Sequence, residues 1–252
     1  MQPHLPPLPR RHWLARTAAL VLAPAFVRHA RAADVPRFAL GLASGQPRER
    51  SIVLWTRLTG DGLPERANVR WEMARDERFT EIVARGTEQA VADEAHSVHA
   101  EVAGLEPGRW YWYRFEALGQ RSASGRTCTA PAAGDAVGLR FALASCQRFD
   151  HGHYAAWRQV AASDLDFVLF VGDYIYEYAS PPLAVRYHEG PLLRTLDQYR
   201  ARYAQYKGDP LLQAAHAALP WLQVWDDHEV ENDYAGAQGL HLQDDFLAQR
   251  AA

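Results

Sequence analysis

The chain of 252 residues carries a formal net charge of −3, so no basic surface for nucleic acid is indicated. Charged residues make up 23% and apolar ones 48%, ordinary values for a soluble globular protein.

The N-terminus reads as an address. Arg10-Arg11-His12-Trp13-Leu14 is a twin-arginine pattern, an apolar run follows from Ala18 to Val27, and Ala30-Arg31-Ala32 fits a small-x-small cleavage site. The run is far below the ~20 residues needed to span a bilayer. Residues 1–32 are therefore expected to be a signal peptide read by the twin-arginine export machinery, which makes the mature protein periplasmic or secreted, with no stable membrane span. That route exports folded proteins, and so suits an enzyme that takes up its metal before crossing the membrane.

Residues 36–131 show short alternating runs: Phe38–Ala43, Ile52–Leu58, Val69–Met73, Ile82–Ala84, Ser97–Val102 and Trp110–Leu118. Gly45-Gln46-Pro47, Gly60-Asp61-Gly62 and Glu106-Pro107-Gly108 punctuate them, the pattern of an all-β sandwich. The segment Leu105–Phe115 resembles the strand entry of fibronectin type III domains, where a tyrosine hydroxyl ties the corner to backbone. Trp110–Tyr113 reads as half core and half surface rather than as a carbohydrate-stacking patch. Cys128 closes this part. In an exported protein it could pair with Cys146 in a disulfide, or Cys146 could be a metal-binding thiolate; its place at the end of a strand favours the second.

After the small-residue linker 130–135, residues 138–252 change to strand, helix, strand. Helices are expected over Tyr154–Ala162, Leu196–Tyr206 and Leu211–Ala218, and strands over Asp166–Val171 and Leu222–Trp225. Three apolar stretches, Leu139–Cys146, Phe167–Tyr176 and Leu222–His228, end on chemically competent residues. In an open α/β sheet, ligands sit outside the carboxyl ends of the strands, so Cys146, Asp173, Tyr176, Asp227 and His228 should meet in one crevice. Thiolate, carboxylate, phenolate and imidazole together suit a transition metal. Five of the nine side chains from Trp225 to Asp233 are carboxylates, and like charges this close repel unless cations offset them. Oxygen-rich ligands of this kind also suit calcium or magnesium.

Leu143-Ala144-Ser145-Cys146-Gln147, Val171-Gly172-Asp173-Tyr174-Ile175-Tyr176-Glu177 and Val224-Trp225-Asp226-Asp227-His228-Glu229-Val230 resemble the signatures of PhoD-like alkaline phosphatases, and Phe38–Pro47 is similar to the start of that family's sandwich. The resemblance implies an immunoglobulin-like sandwich (36–131) followed by the N-terminal part of a calcineurin-like α/β metallophosphoesterase domain (138–252). It implies Fe3+ and Ca2+, with Cys146, Asp173 and Tyr176 matching iron ligands. Asp173 would bridge to calcium, and Asn232 and Asp227 would match the calcium side. His228 falls where related enzymes keep a histidine that touches the phosphate or the leaving group.

The implied reaction is hydrolysis of phosphate esters by a metal-activated hydroxide. Alternatives are phosphodiesterase or phospholipase D activity on the same scaffold, or an inactive fragment acting only as a binding module. The family supplies a further aspartate and histidine downstream, whereas this chain stops within a helical pattern at Asp245–Ala252. The expectation is a truncated domain, poorly stable and inactive alone, with an unpaired sheet edge after Leu222–Trp225.

Overall fold

Alternation over the first half resolves into strands β1 (Leu42–Gly45), β2 (Ser51–Arg57), β3 (Arg66–Ala74), β4 (Ile82–Val91), β5 (Ser97–Ala103), β6 (Trp110–Ala117), β7 (Gln120–Arg121) and β8 (Gly125–Cys128). The structure, a computed structural model, describes residues 35–239 together with Phe246 and Ala248, so the expected signal peptide lies outside the described residues. In β2 the residues Ile52, Leu54 and Thr56 are buried while their alternates are half-exposed, the signature of a sheet with one face on a core. One sheet runs β4-β3-β6-β7 with β8 also paired to β6. It packs against β1, β2 and β5 over a core that includes Leu54, Val69, Met73, Tyr113 and Phe115. The corner tyrosine is Tyr111, whose buried hydroxyl accepts the Glu106 N–H at 3.0 Å.

Two sequence readings shift here. Phe38–Ala43 is not a strand. The chain turns, with the Gly41 N–H on the Phe38 carbonyl at 3.0 Å, and Gly41 has φ +72°, so pairing starts only at Leu42. The short run at Ile82 grows into the ten-residue β4, because Gly86 lets the Trp71 ring lie across it; a Cβ there would meet that ring at 2.4 Å.

The second half supplies β9 (Phe141–Ala144), α1 (Ala155–Ala162), β10 (Phe167–Val171), α2 (Leu196–Lys207), α3 (Pro210–Ala218) and β11 (Trp221–Val224). Thr195 and Gln198 close a capping box at the start of α2. Asp209 caps α3 through the Leu211 and Leu212 N–H groups, with Pro210 in the first turn, where its missing N–H costs nothing.

β9, β10 and β11 are parallel, with Val168↔Trp221 and Phe170↔Ala144 in register. The register puts Ala142, Val168, Phe170 and Trp221 on the same side. Val168, Phe170 and Trp221 are buried there in a cluster with Trp157, Leu212 and Ala215 from α1 and α3. The rings of Trp157 and Trp221 pack with centres 4.8 Å apart and planes tilted by 39°.

β11 is not the unpaired edge expected from the sequence. Gly45 of β1 pairs with Trp221 in parallel, and the sheet runs β5-β2-β1-β11-β10-β9. Sandwich and α/β parts thus share one continuous sheet, and the open edge of its parallel end is β9. Among the described residues, no helix is long and apolar enough to cross a membrane.

Candidate metal centre

Three parallel strands stop together and release the chain in tight turns. Cys146 lies two residues past β9 with φ +55°, and Asp173 two residues past β10 with φ +58°. Left-handed backbone in non-glycine residues costs free energy and tends to collect where function holds it in place. Between them, Gly172 has φ +101°, and a Cβ would lie 2.3 Å from that of Asp226, so only glycine lets the ends of β10 and β11 approach this closely. The Cys146 N–H donates to the Gly172 carbonyl at 3.1 Å, and the Gln147 N–H to the Asp173 carbonyl at 3.2 Å, which locks the two strand ends side by side.

Asp173 is the hub. Its Oδ2 accepts the Tyr176 hydroxyl at 3.0 Å and the Cys146 thiol at 3.3 Å. Its Oδ1 is buried with no hydrogen-bond partner. Asp173, Asp227 and His228 each offer a ligand atom, and these lie within 4.8 Å of one another. Burial raises the Tyr176 phenol pKa, and the neighbouring Asp173 carboxylate raises it further. A carboxylate ringed by a thiol and a phenol, with one buried oxygen left over, is a donor set whose protons a cation can replace. The residues present therefore fit a bound metal.

Burial works against charge on the Asp227 carboxyl, but the Asp233 N–H on Oδ2 at 2.6 Å and the nearby His228 outweigh it, and its pKa is lowered. Burial likewise pulls the His228 imidazole down. The Glu177 carboxylate, 2.7 Å from Nδ1, and the charges of Asp173 and Asp227 outweigh that, so the net shift is upward. The ring of His228 lies 4.1 Å from that of Tyr176. With Nδ1 held by Glu177, Nε2 is the nitrogen left for a metal or a substrate oxygen.

Asn232 lies on the same loop as Asp227 and His228. Its N–H donates to Glu177 Oε1 at 2.9 Å and its amide to Asp233 Oδ2 at 2.9 Å.

Two anchoring acids were not singled out from the sequence. Glu177, 1% exposed, holds both His228 and Asn232. Glu229 accepts the N–H groups of Asp173, Tyr174 and Asp226, tying the two loops together. The signal available was an acid directly after each functional residue, Tyr176-Glu177 and His228-Glu229, but adjacency alone does not say which way a side chain points. The disulfide alternative is excluded. Both cysteines are free, and Cys128 instead donates to the Asp166 carbonyl at 3.3 Å, its thiol pushed up by burial to about 12.

Residues 141–252 match the family described as PhoD-like phosphatase, and residues 22–131 match the N-terminal domain of PhoD-like phosphatases. Over 210 residues the chain is 50% identical to alkaline phosphatase D of Bacillus subtilis (strain 168), covering 79% of this chain and 36% of that protein. The solved structure of PhoD superposes with a TM-score of 0.81 at 47% identity, covering 85% of this chain and 44% of the other. The chain thus spans little more than a third of the curated relative and under half of the solved one.

Proposed function

Because the chain belongs to the PhoD-like phosphatase family, we propose that it hydrolyses phosphate esters at the Asp173–Asp227–His228 cluster. The observation that carries the reading is the meeting of these three side chains, within 4.8 Å, outside the ends of parallel strands. By the family resemblance, Cys146, Asp173 and Tyr176 would hold Fe3+, and Asp173, Asp227 and Asn232 would hold Ca2+. Bound there, metal would polarise the phosphoryl oxygens and make a water acidic enough to be a nucleophile near neutral pH.

The chain's own groups supply the rest. Glu177 fixes the imidazole of His228 by Nδ1, leaving Nε2 to donate a proton to the departing oxygen. The net upward shift of the imidazole favours its protonated form. Glu229 holds the Asp173 turn rigid by accepting backbone N–H groups, so the hub carboxylate is oriented before substrate arrives. Cys146 acts as a ligand, not a nucleophile.

The test is hydrolysis of a chromogenic monoester and a diester by metal-loaded protein, with elemental analysis of the same sample. Asp173→Asn should lose at least about 100-fold in turnover together with bound metal, as expected when a ligand is removed. Metal-free protein with full activity, or an Asp173→Asn variant that retains both, would sink the reading.

Export by the twin-arginine route belongs to the same proposal, supported by Arg10-Arg11 ahead of the Ala18–Val27 run. Replacing both arginines with lysine should hold the precursor in the cytoplasm; mature protein still reaching the periplasm would refute it.

A further inference from the structure

A cavity of about 490 Å³ lies between the sandwich strands and α2, lined partly by α3 and β11. Along β2 the half-exposed alternates Val53, Trp55 and Arg57 turn away from the sandwich core and line it, and His99 of β5 stands opposite Trp55. Helix α2 presents Arg200 and Lys207, seven residues and so about two turns apart on one face. His216 of α3 completes the wall. Five basic side chains line the cavity, and none of its lining residues is a carboxylate.

The chain's Lys and Arg total 27, and Lys207 is the only lysine among them. Its ammonium lies 4.5 Å from the centre of the Trp55 ring and 3.3 Å from His216 Nε2. Among the described residues no carboxylate forms an ion pair with it. Arg57 is pinned by the carbonyls of Ala95 at 2.8 Å and Arg200 at 3.0 Å. Among the described residues Arg200 pairs only with Asp197, at 3.7 Å, itself 94% exposed. His216 is 3% exposed, and its Nδ1 has no hydrogen-bond partner.

Grouped cations without a counter-ion are unfavourable when removed from water, and a cavity that keeps them is suited to an anion. Aromatic walls beside the charges suit a ligand with an apolar body.

We propose that this cavity is a second ligand site, separate from the metal centre, that takes a small organic anion: the acidic head on Lys207 and the Arg57–Arg200 end, the apolar body against Trp55. A lysine serves here where an arginine would not, since arginine keeps its charge in any surroundings. Without an anion, burial holds Lys207 at about 7, so the amine sheds much of its charge near neutral pH. A bound anion restores that charge, and the ammonium then titrates higher.

The single lysine makes the test clean. Competitive acylation across a pH series, followed by peptide mass mapping, reads the titration of Lys207 separately from the α-amine. The probe is benzenesulfonate, with inorganic sulfate as the small-anion arm, and both are repeated in Asp173→Asn to remove binding at the metal centre. Saturating benzenesulfonate should move the midpoint up by about one unit or more and cut labelling at pH 8 by roughly 2-fold or more. The shift should survive in Asp173→Asn. Calorimetry should find benzenesulfonate binding to the wild type and none to Lys207→Met. If that variant fails to fold, Arg57→Gln replaces it, with binding weakened at least about 5-fold. A midpoint that benzenesulfonate leaves unmoved, or equal binding by Lys207→Met, would overturn the site. A shift with sulfate equal to that with benzenesulfonate would overturn the apolar half of the proposal.

Discussion

Glu177 illustrates how much of the centre depends on a residue that contacts no reacting atom. Buried at 1% exposure, it accepts His228 Nδ1 on one oxygen and the Asn232 N–H on the other, so removing it frees the imidazole and the loop carrying Asn232 together. Outer partners of metal ligands are commonly worth about 10–100-fold in affinity or activity. Glu177→Ala is expected to lower phosphate ester hydrolysis by that range and shift its alkaline pH limb downward, because the imidazole that donates the proton loses the charge that raises its pKa. Unchanged turnover with an unchanged pH profile would assign Glu177 to structure alone.

His188 gives a stability prediction independent of the centre. Its Nδ1 lies 2.8 Å from the Tyr178 carbonyl and its Nε2 2.9 Å from the Tyr206 hydroxyl, and its ring packs against those of Phe149 and Tyr206. Burial, then the Arg202 guanidinium, push it down to about 4. The folded state therefore binds fewer protons than the unfolded chain, whose histidine titrates near 6.5. This contribution is fully present above pH 6.5 and is lost as pH falls toward 4, about 3 kcal/mol at most. His216, also lowered by burial, adds to the same window. His188→Gln should reduce the slope of unfolding free energy against pH between 6.5 and 4 by about one proton; an identical slope would show that His188 is not held neutral.

At the scale of the element, the parallel strands are covered unequally. Facing α1 and α3, Val168 and Phe170 are fully buried. On the opposite face Phe141 is 48% exposed, Leu143 66%, Val171 40% and Val224 57%, although parallel strands usually bury both faces. Among the described residues β9 is also a sheet edge, so exposed apolar surface and unpaired backbone coincide there, a combination that promotes association. Leu143→Ser with Val224→Thr should lower dye binding and light scattering of residues 33–252 while shifting the unfolding midpoint by under about 1 kcal/mol, as surface changes do. A large loss of stability would mean that this face is packed in solution.

For the whole molecule, the consequential contact is the pairing of Gly45 with Trp221. That one parallel bridge makes β1 and β11 neighbours and merges the two halves into a six-stranded sheet. A Cβ at residue 45 would approach the Trp221 carbonyl to 2.9 Å, so the bridge requires glycine. Trp221 in turn stacks on His216 at 3.9 Å, and His216 Nε2 lies 2.8 Å from the hydroxyl of Tyr174, the residue after Asp173. The junction, the cavity above it and the metal centre are thus adjoining parts of one packed unit.

The sequence by itself determined the elements and most of the centre. Period-two alternation, a helical period after residue 154 and apolar runs ending in Cys146, Asp173 and Asp227 are local signals, fixed by which side chains must leave water. Because parallel strands deliver their C-terminal ends to one side, three endings sufficed to place those residues and His228 together. Only the tertiary structure decided the rest. Glu177 and Glu229 are adjacent to functional residues in sequence, but whether an acid turns inward depends on which N–H groups the fold leaves unpaired. The shared sheet depends on Gly45 meeting Trp221 across 176 positions, and the Lys207 cavity on a strand face and a helix face that no local pattern relates. Such contacts follow from how the elements pack, which local periodicity does not encode.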